Sequence, residues 1–478
     1  MKKTWLLAVL VLAVLTDLVL TYVQYSNLIL DGDLAAIVVP RADYAPVLHD
    51  PFGWSMLTTG GWYSAPNRFF SHITLREYCL RAPLLLQAFT TPINSVYMAL
   101  ALCSVSVQAL LLYVLGWYAT GSRRLSNWRL WLAMALMTPF FQTTGYNGQM
   151  SIVDTSFTYT FFYALPLLVL LVLLWPLYRA AGQRQPLRVG GVQLVAMLLL
   201  IVVLAFSGPI IAGVVLVLLL GVGLHAVRQR WPQPAAYWLK NLPGQAGLLW
   251  GWLGALCLYS LYIGRHNTEN LMATLPLGQR YQLVPLGIWD ELTSKLGLPL
   301  LVLGCLANVQ LIRRQLPPTA EGQRIVQVLR YLGWFALVYI ALLPLGGYRD
   351  YRPLILRHDS IVPITLGLVG FYALSSCYLL QQLRGKSVRW YAAAVVLVAF
   401  IFTNADRRLI PNNNNSRERQ ALALLSQAGS APVVRLPQEC TVMSWSPIVR
   451  PYESLTNAEL LKHWGITKGH TMYYYPAQ

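Results

Sequence analysis

Apolar runs of about 20 residues recur along this chain. As a helix, each is long enough to cross the roughly 30 Å hydrocarbon core of a bilayer. Charged residues are 11% of the chain, against roughly 25% in soluble domains, which excludes an ordinary water-soluble enzyme. The expected fold class is an all-α polytopic membrane protein, because a helix satisfies its own backbone polar groups in lipid. The runs give about eleven spans of bilayer length, near 4–24, 93–117, 127–143, 156–178, 190–207, 209–226, 246–264, 293–312, 325–345, 361–382 and 390–404. As one helix, 190–226 would rise about 55 Å, so it is folded into a hairpin at Gly208-Pro209, where Pro suits a helix start.

A net charge of +18 in a soluble chain would suggest nucleic acid. Here the basic residues fall in alternate loops: Lys2 and Lys3, then Arg123, Arg124 and Arg129, then Arg179, Arg184 and Arg188, then Arg228, Arg230 and Lys240, then Arg313, Arg314 and Arg324, then Arg384, Lys386 and Arg389. Short cytoplasmic loops retain Lys and Arg, so the N-terminus is expected in the cytoplasm and, after eleven spans, the C-terminus outside. Membrane lipids, not nucleic acid, are the expected surroundings. All acids but Asp17 and Glu321, and all histidines but His225, fall on the outer side or in the tail. Titratable chemistry is expected there.

Two parts result: a transmembrane domain over 1–404, with a long first outer loop at 25–92, and a small α/β unit over 405–478. The first run is read as a retained span because no small-x-small cleavage pattern follows it. No internal repeat supports an inverted-repeat transporter. The tail opens on Pro411 and Asn412 to Asn415, then reads as a helix over 417–427 with Glu418 three after Asn415. Strand-like Val433 to Leu436 follow, and a unit so small is expected to pack on the loops as a lid. Only Cys79 and Cys440 lie outside the spans, too little to argue a disulfide from.

The first loop begins Asp31-Gly32-Asp33. Two carboxylates two residues apart point the same way in an extended segment and can share a cation or leave one poised as a base; alternatively one of them N-caps a helix from Leu34 to Val39. His49 and Asp50, then Tyr63 to Phe70 with Arg68, then His72, interleave polar and aromatic groups as a sugar-binding surface does, and as any interfacial loop does. Residues 73–89 suit a helix lying in the interface. Asp17, inside the first span, forms a stripe with Thr21 and Gln24 and is assigned a structural hydrogen-bonding role. Asp154 either meets the first loop across the mouth or caps the helix that follows. Arg349, Arg352 and Arg357 break the positive-inside pattern beside His358 and Asp359. They suit bidentate binding of an anionic head group, or a local charge network, which Arg265, His266, Arg280 and Asp290 could extend.

Together these features resemble the GT-C superfamily of integral-membrane glycosyltransferases. In that superfamily an acidic motif in the first outer loop follows span one, and Asp31-Gly32-Asp33 stands in that place. Arg357-His358-Asp359-Ser360-Ile361-Val362-Pro363 resembles the Arg-Tyr and proline stretch before a late span in some bacterial members, with His358 in place of the Tyr. The resemblance implies inverting transfer of a sugar from a polyprenyl-phosphate donor to a glycan, lipid or protein acceptor, in an inner membrane with the site in the periplasm. Asp31 or Asp33 would be the base, and Arg352 or Arg357 would neutralise the carrier phosphate. A divalent metal at Asp31 and Asp33 is compatible with the resemblance but not required by it. Two other readings stay open: a polymerase or ligase of lipid-linked glycans working through outer Arg and His, and a transporter or flippase centred on Asp17.

Overall fold

The computed structural model describes residues 2–146, 148–183, 185–230, 244–272, 274–409, 415–437 and 440–476. Arg184, Lys240 and most of the asparagine linker lie outside them. Eight helices are long and apolar enough to cross a bilayer: Thr4–Ser26, Pro92–Thr120, Phe157–Gly182, Gly244–Gly264, Gly297–Gln315, Ala320–Gly346, Val362–Gln382 and Gly385–Asp406. The chain is a multi-pass membrane protein. The pair Gly191–Ala205 and Pro209–His225 qualifies only together, as one broken span or a re-entrant loop, bent by 119° at Gly208, whose φ of +117° suits glycine. The described residues thus give eight spans, or up to nine, and not the eleven expected, because 190–207 and 209–226 do not count as two spans and 127–143 falls short. The bend falls where the sequence places it.

The expected span at 127–143 is not a full crossing. Its helix runs only from Trp128 to Met137, about 15 Å of rise, then tightens into a 3₁₀ turn at Thr138–Phe140 that contains Pro139. Among the described residues irregular backbone follows as far as Ser156, and it forms part of a cavity wall described below.

Val362–Gln382 is the axis of the bundle. Of its apolar window 83% is buried, against 11% for the first and last spans, which turn most of their surface to lipid. Apolar packing in lipid lacks a hydrophobic driving force, so polar bonds help to register the helices. Asn308 donates to the Ser375 and Ser376 hydroxyls at 2.9 and 3.0 Å, and Tyr391 donates to Asn308 Oδ1 at 2.8 Å, tying three spans together. On the first span Thr21 accepts from Gln108 and Gln24 donates to Asp406 at 3.0 Å. The stripe does face the bundle, although among the described residues Asp17 Oδ2 has no hydrogen-bond partner.

The first loop carries short helices Leu34–Val38, Ala45–His49 and Trp54–Thr58, then Phe69–Leu86. The C-terminal unit combines helices Ser416–Ser426 and Leu455–His463 with strands Val433–Arg435 and Met472–Tyr474, paired in parallel with Val434 opposite Tyr473. It docks on the first loop. Asn415 and Glu418 do not form the expected capping box, because both side chains reach across to the first loop. Asn415 Nδ2 donates to the Ser26 and Leu28 carbonyls, and Glu418 accepts from Leu30 N, Tyr97 OH and Met443 N. At the other edge Trp464, fully buried, donates to the Cys79 carbonyl at 2.9 Å. Cys79 and Cys440 are free thiols.

Trp464→Ala is expected to cost about 3–5 kcal/mol and to expose the C-terminal unit, but not the spans, to limited proteolysis. Burial pushes the Glu418 carboxyl from 4.5 up to about 7, against the donors that lower it. A folded pKa above the unfolded one means that this stabilisation is complete at low pH and lost as pH rises through that window. Protease resistance of the docked unit should therefore fall between about pH 4.5 and 7, and Glu418→Gln should remove that dependence.

Candidate functional site

Where the first loop, the irregular segment after Phe140, the start of the span at Phe157, the 348–360 loop and the C-terminal unit converge, they enclose a cavity of about 890 Å³. Its size lies within the usual range for small-molecule sites.

The acidic tripeptide divides its work. Asp31 is 5% exposed and does not line the cavity. Its Oδ1 accepts from Asp33 N and from Thr158 Oγ1, each at 3.1 Å, and its Oδ2 from Thr158 N at 3.1 Å. It thus satisfies a first-turn N–H of the span beginning at Phe157, an orphan donor of that helix. Burial, then the neighbouring Asp33, pushes its carboxyl up to about 7. Asp33 occupies the N-cap position of Leu34–Val38 but makes no side-chain cap. Its side chain faces the cavity instead, where Oδ1 accepts from Trp445 Nε1 at 3.0 Å. Burial raises the Asp33 carboxyl above its ordinary range, while the indole N–H pulls the other way. Gly32 permits this contact: a Cβ there would stand 2.5 Å from Trp445 N and 2.6 Å from its Cδ1.

The opposite charge comes from the 348–360 loop. Asp359, 0% exposed, accepts from Arg352 Nη2 at 2.6 Å and from Arg357 Nε and Nη2 at 2.9 and 2.6 Å. Burial alone would raise this carboxyl, but Arg352 and Arg357 hold it far below the usual carboxylate range. Arg352 also donates to Tyr163 OH at 2.8 Å and Arg357 to Tyr159 OH at 3.3 Å. The Arg357 guanidinium lies 5.3 Å from the Tyr351 ring centre. Tyr159 precedes and Tyr163 lies within a π-helical turn, Thr160–Ala164, of the kind found at functional sites.

His358 Nε2 bonds Asp154 Oδ2 at 2.9 Å, and Asp154 Oδ1 accepts from Ser156 N at 2.8 Å. Asp154 therefore ties the late loop to the residues just before the helix; it bonds neither the first loop nor a first-turn N–H of the helix, where Thr158 N is taken by Asp31. Arg68 and His72 line the same cavity. Arg68 follows a turn in which Ala65 adopts a φ of +53°, and His72 stacks on Phe162 at 5.4 Å.

The remaining candidates lie elsewhere. His49 ends a short helix off the cavity. Asp50 caps Trp54–Thr58, accepting from Trp54 N and Ser55 N at 2.7 and 2.9 Å. Arg349 pairs with Glu269 at 3.0 Å, not with Asp350; Glu269 lines the cavity and Arg349 does not. Arg265, His266, Arg280 and Asp290 do not line it either. Asp31 and Asp33 do not fit a shared metal: donors of the fold occupy both Asp31 oxygens, and only Asp33 faces the cavity. Among the described residues no group of three or more His, Cys, Asp or Glu is placed to hold a metal ion.

Sequence reading missed Trp445, Tyr159, Tyr163, Tyr44 and Glu269. The i, i+4 spacing of Tyr159 and Tyr163 in an otherwise apolar run was the available signal; Trp445 had none. No family model, no curated protein and no solved structure matches the chain.

Because Asp359 neutralises two guanidinium groups in a buried setting, Asp359→Asn is expected to cost about 3–5 kcal/mol. Thermal unfolding in detergent measures this. Asp350→Asn, at an exposed position, should stay within about 0.5 kcal/mol of the native protein.

Proposed function

We propose that the protein is a glycosyltransferase of the inner membrane, with its N-terminus cytoplasmic and its C-terminal unit periplasmic. It transfers a sugar from a polyprenyl-phosphate donor to a hydroxyl acceptor. One observation carries this reading: a single cavity combines a carboxylate, Asp33, whose only side-chain hydrogen-bond donor among the described residues is an indole, with an arginine pair held by a buried acid. The alternation of basic loops supports the orientation.

In this reading the donor phosphate lies against Arg352 and Arg357, whose planar forks suit phosphate oxygens. Asp33 accepts the proton of the acceptor hydroxyl as its oxygen bonds to the anomeric carbon. The bond from that carbon to the phosphate oxygen breaks, and the electron pair leaves with the phosphate. Arg352 and Arg357 balance the negative charge that grows there. A single displacement inverts the anomeric centre. Burial raises the Asp33 carboxyl, which makes it a stronger proton acceptor than an ordinary carboxylate. Asp31 positions the reacting residue through Asp33 N and is not itself the base.

Asp33→Asn should lower turnover of a polyprenyl-phosphate sugar by about 10²–10⁴-fold with donor binding retained. Arg357→Ala should weaken donor binding, read by titration of the purified protein. An unimpaired Asp33→Asn enzyme would favour the polymerase or ligase reading, which does not need that carboxylate. The transport reading draws on the unpartnered Oδ2 of Asp17. Loss of function in Asp17→Asn, with Asp33→Asn active, would favour it over transfer.

A further inference from the structure

The arginines of the cavity are not equivalent. Arg352 and Arg357 share the Asp359 carboxylate, whereas Arg68, on the first loop, has no such partner. Its guanidinium lies 5.0 Å from the centre of the Phe162 ring, and among the described residues it makes no hydrogen bond or ion pair. Its stem runs beside Gly208 at the break of the bent pair, where an added Cβ would meet Arg68 Cγ at 3.4 Å and Nε at 3.5 Å. The group is thus held by its stem and ring face, with its N–H edges unused.

One turn along the same helix, His72 lines the cavity at 2% exposure, stacked on the same Phe162 ring, and its Nε2 is buried without a partner. Burial, with the Arg68 charge beside it, pushes this imidazole down to about 3, so the ring is neutral and has one N–H to give. The acids whose charge Arg68 feels have partners of their own. Glu269 is bound by Arg349 and Asp33 by the Trp445 indole. The imidazole nitrogen is buried without a partner, which costs free energy, whereas the Arg68 N–H groups are not among the buried unpartnered atoms and stay open to a ligand in the cavity.

We infer that Arg68 and His72 form a second anion subsite, which takes a phosphate-like group other than the one at Arg352 and Arg357. This rests on the reading of that pair as the carrier-phosphate site. The second group is either the distal phosphate of a diphosphate-linked carrier or an anionic substituent on the sugar or acceptor; the chemistry recognised is the same. Two subsites admit two anionic groups in one cavity, whereas a monophosphate carrier with neutral partners would leave Arg68 unused.

The test compares intact wild type, Arg68→Gln and the charge-retaining Arg68→Lys by titration with three probes: a polyprenyl monophosphate, the matching polyprenyl diphosphate, and inorganic phosphate added to protein saturated with the monophosphate. A wild-type preference for the diphosphate of about tenfold or more that disappears in Arg68→Gln and survives in Arg68→Lys supports the subsite and assigns it to the carrier. Inorganic phosphate binding beside the monophosphate, lost in Arg68→Gln, supports it with the sugar or acceptor as the source. Arg68→Gln equal to wild type with every probe, or monophosphate binding weakened as much as diphosphate binding, overturns it. If wild type binds neither lipid, the glycosyltransferase reading fails. The subsite is then judged on inorganic phosphate alone: it stands if Arg68→Gln loses that binding and falls if it does not.

Discussion

One buried carboxylate, Asp359, is bonded by two guanidinium groups and by Tyr163 OH, and the cavity is arranged around that contact. Without it the 348–360 loop would place like charges side by side in a dry setting, where repulsion is little screened. With it, the loop is held against the start of the span at Phe157, whose tyrosines accept from the same arginines. The positive wall of the cavity is therefore a structural ion cluster, in which Arg352 Nε is buried without a hydrogen-bond partner among the described residues. Buried ion clusters are poor stabilisers by themselves. Their value here is to set several cationic donors in fixed positions near one another.

The negative wall is assembled from chain segments more than four hundred positions apart, Asp33 and Trp445. Gly32 lets the tail backbone and indole lie flat against the first loop, Glu418 binds Leu30 N just before it, and Trp464 anchors the far edge at Cys79. The C-terminal unit thus acts as more than a cover. It supplies the hydrogen-bond donor of the one carboxylate of the acidic tripeptide that faces the cavity, so attachment of the unit and ionisation of Asp33 are physically linked.

Most of the spans were legible because their signal is one-dimensional: a run of apolar residues of bilayer length reports itself whatever its neighbours. The bend at Gly208-Pro209 was legible for the same reason, since length forbids one helix. The segment after Asn127 misled because composition resembles a span while Pro139 and the polar residues beyond it stop the helix. At the site, Arg352, Arg357, His358, Asp154, Arg68 and His72 were read from residue type and converge on one cavity. Asp50 and Arg349 had the same chemistry and were drawn into a local cap and an ion pair, a choice that depends on which partner lies nearest in space; His49 ends a short helix off the cavity.

Membrane residence, the helical class, the position of most spans, and the concentration of titratable groups in particular loops were determined by sequence alone. These follow from transfer of side chains and backbone between water and hydrocarbon, residue by residue. Tertiary structure decided which of two adjacent carboxylates faces the cavity, which acid neutralises which arginine, and that a tail tryptophan reaches the first loop. Those outcomes depend on pairings between segments distant in sequence and on the room available at single positions such as Gly32, which no local pattern records.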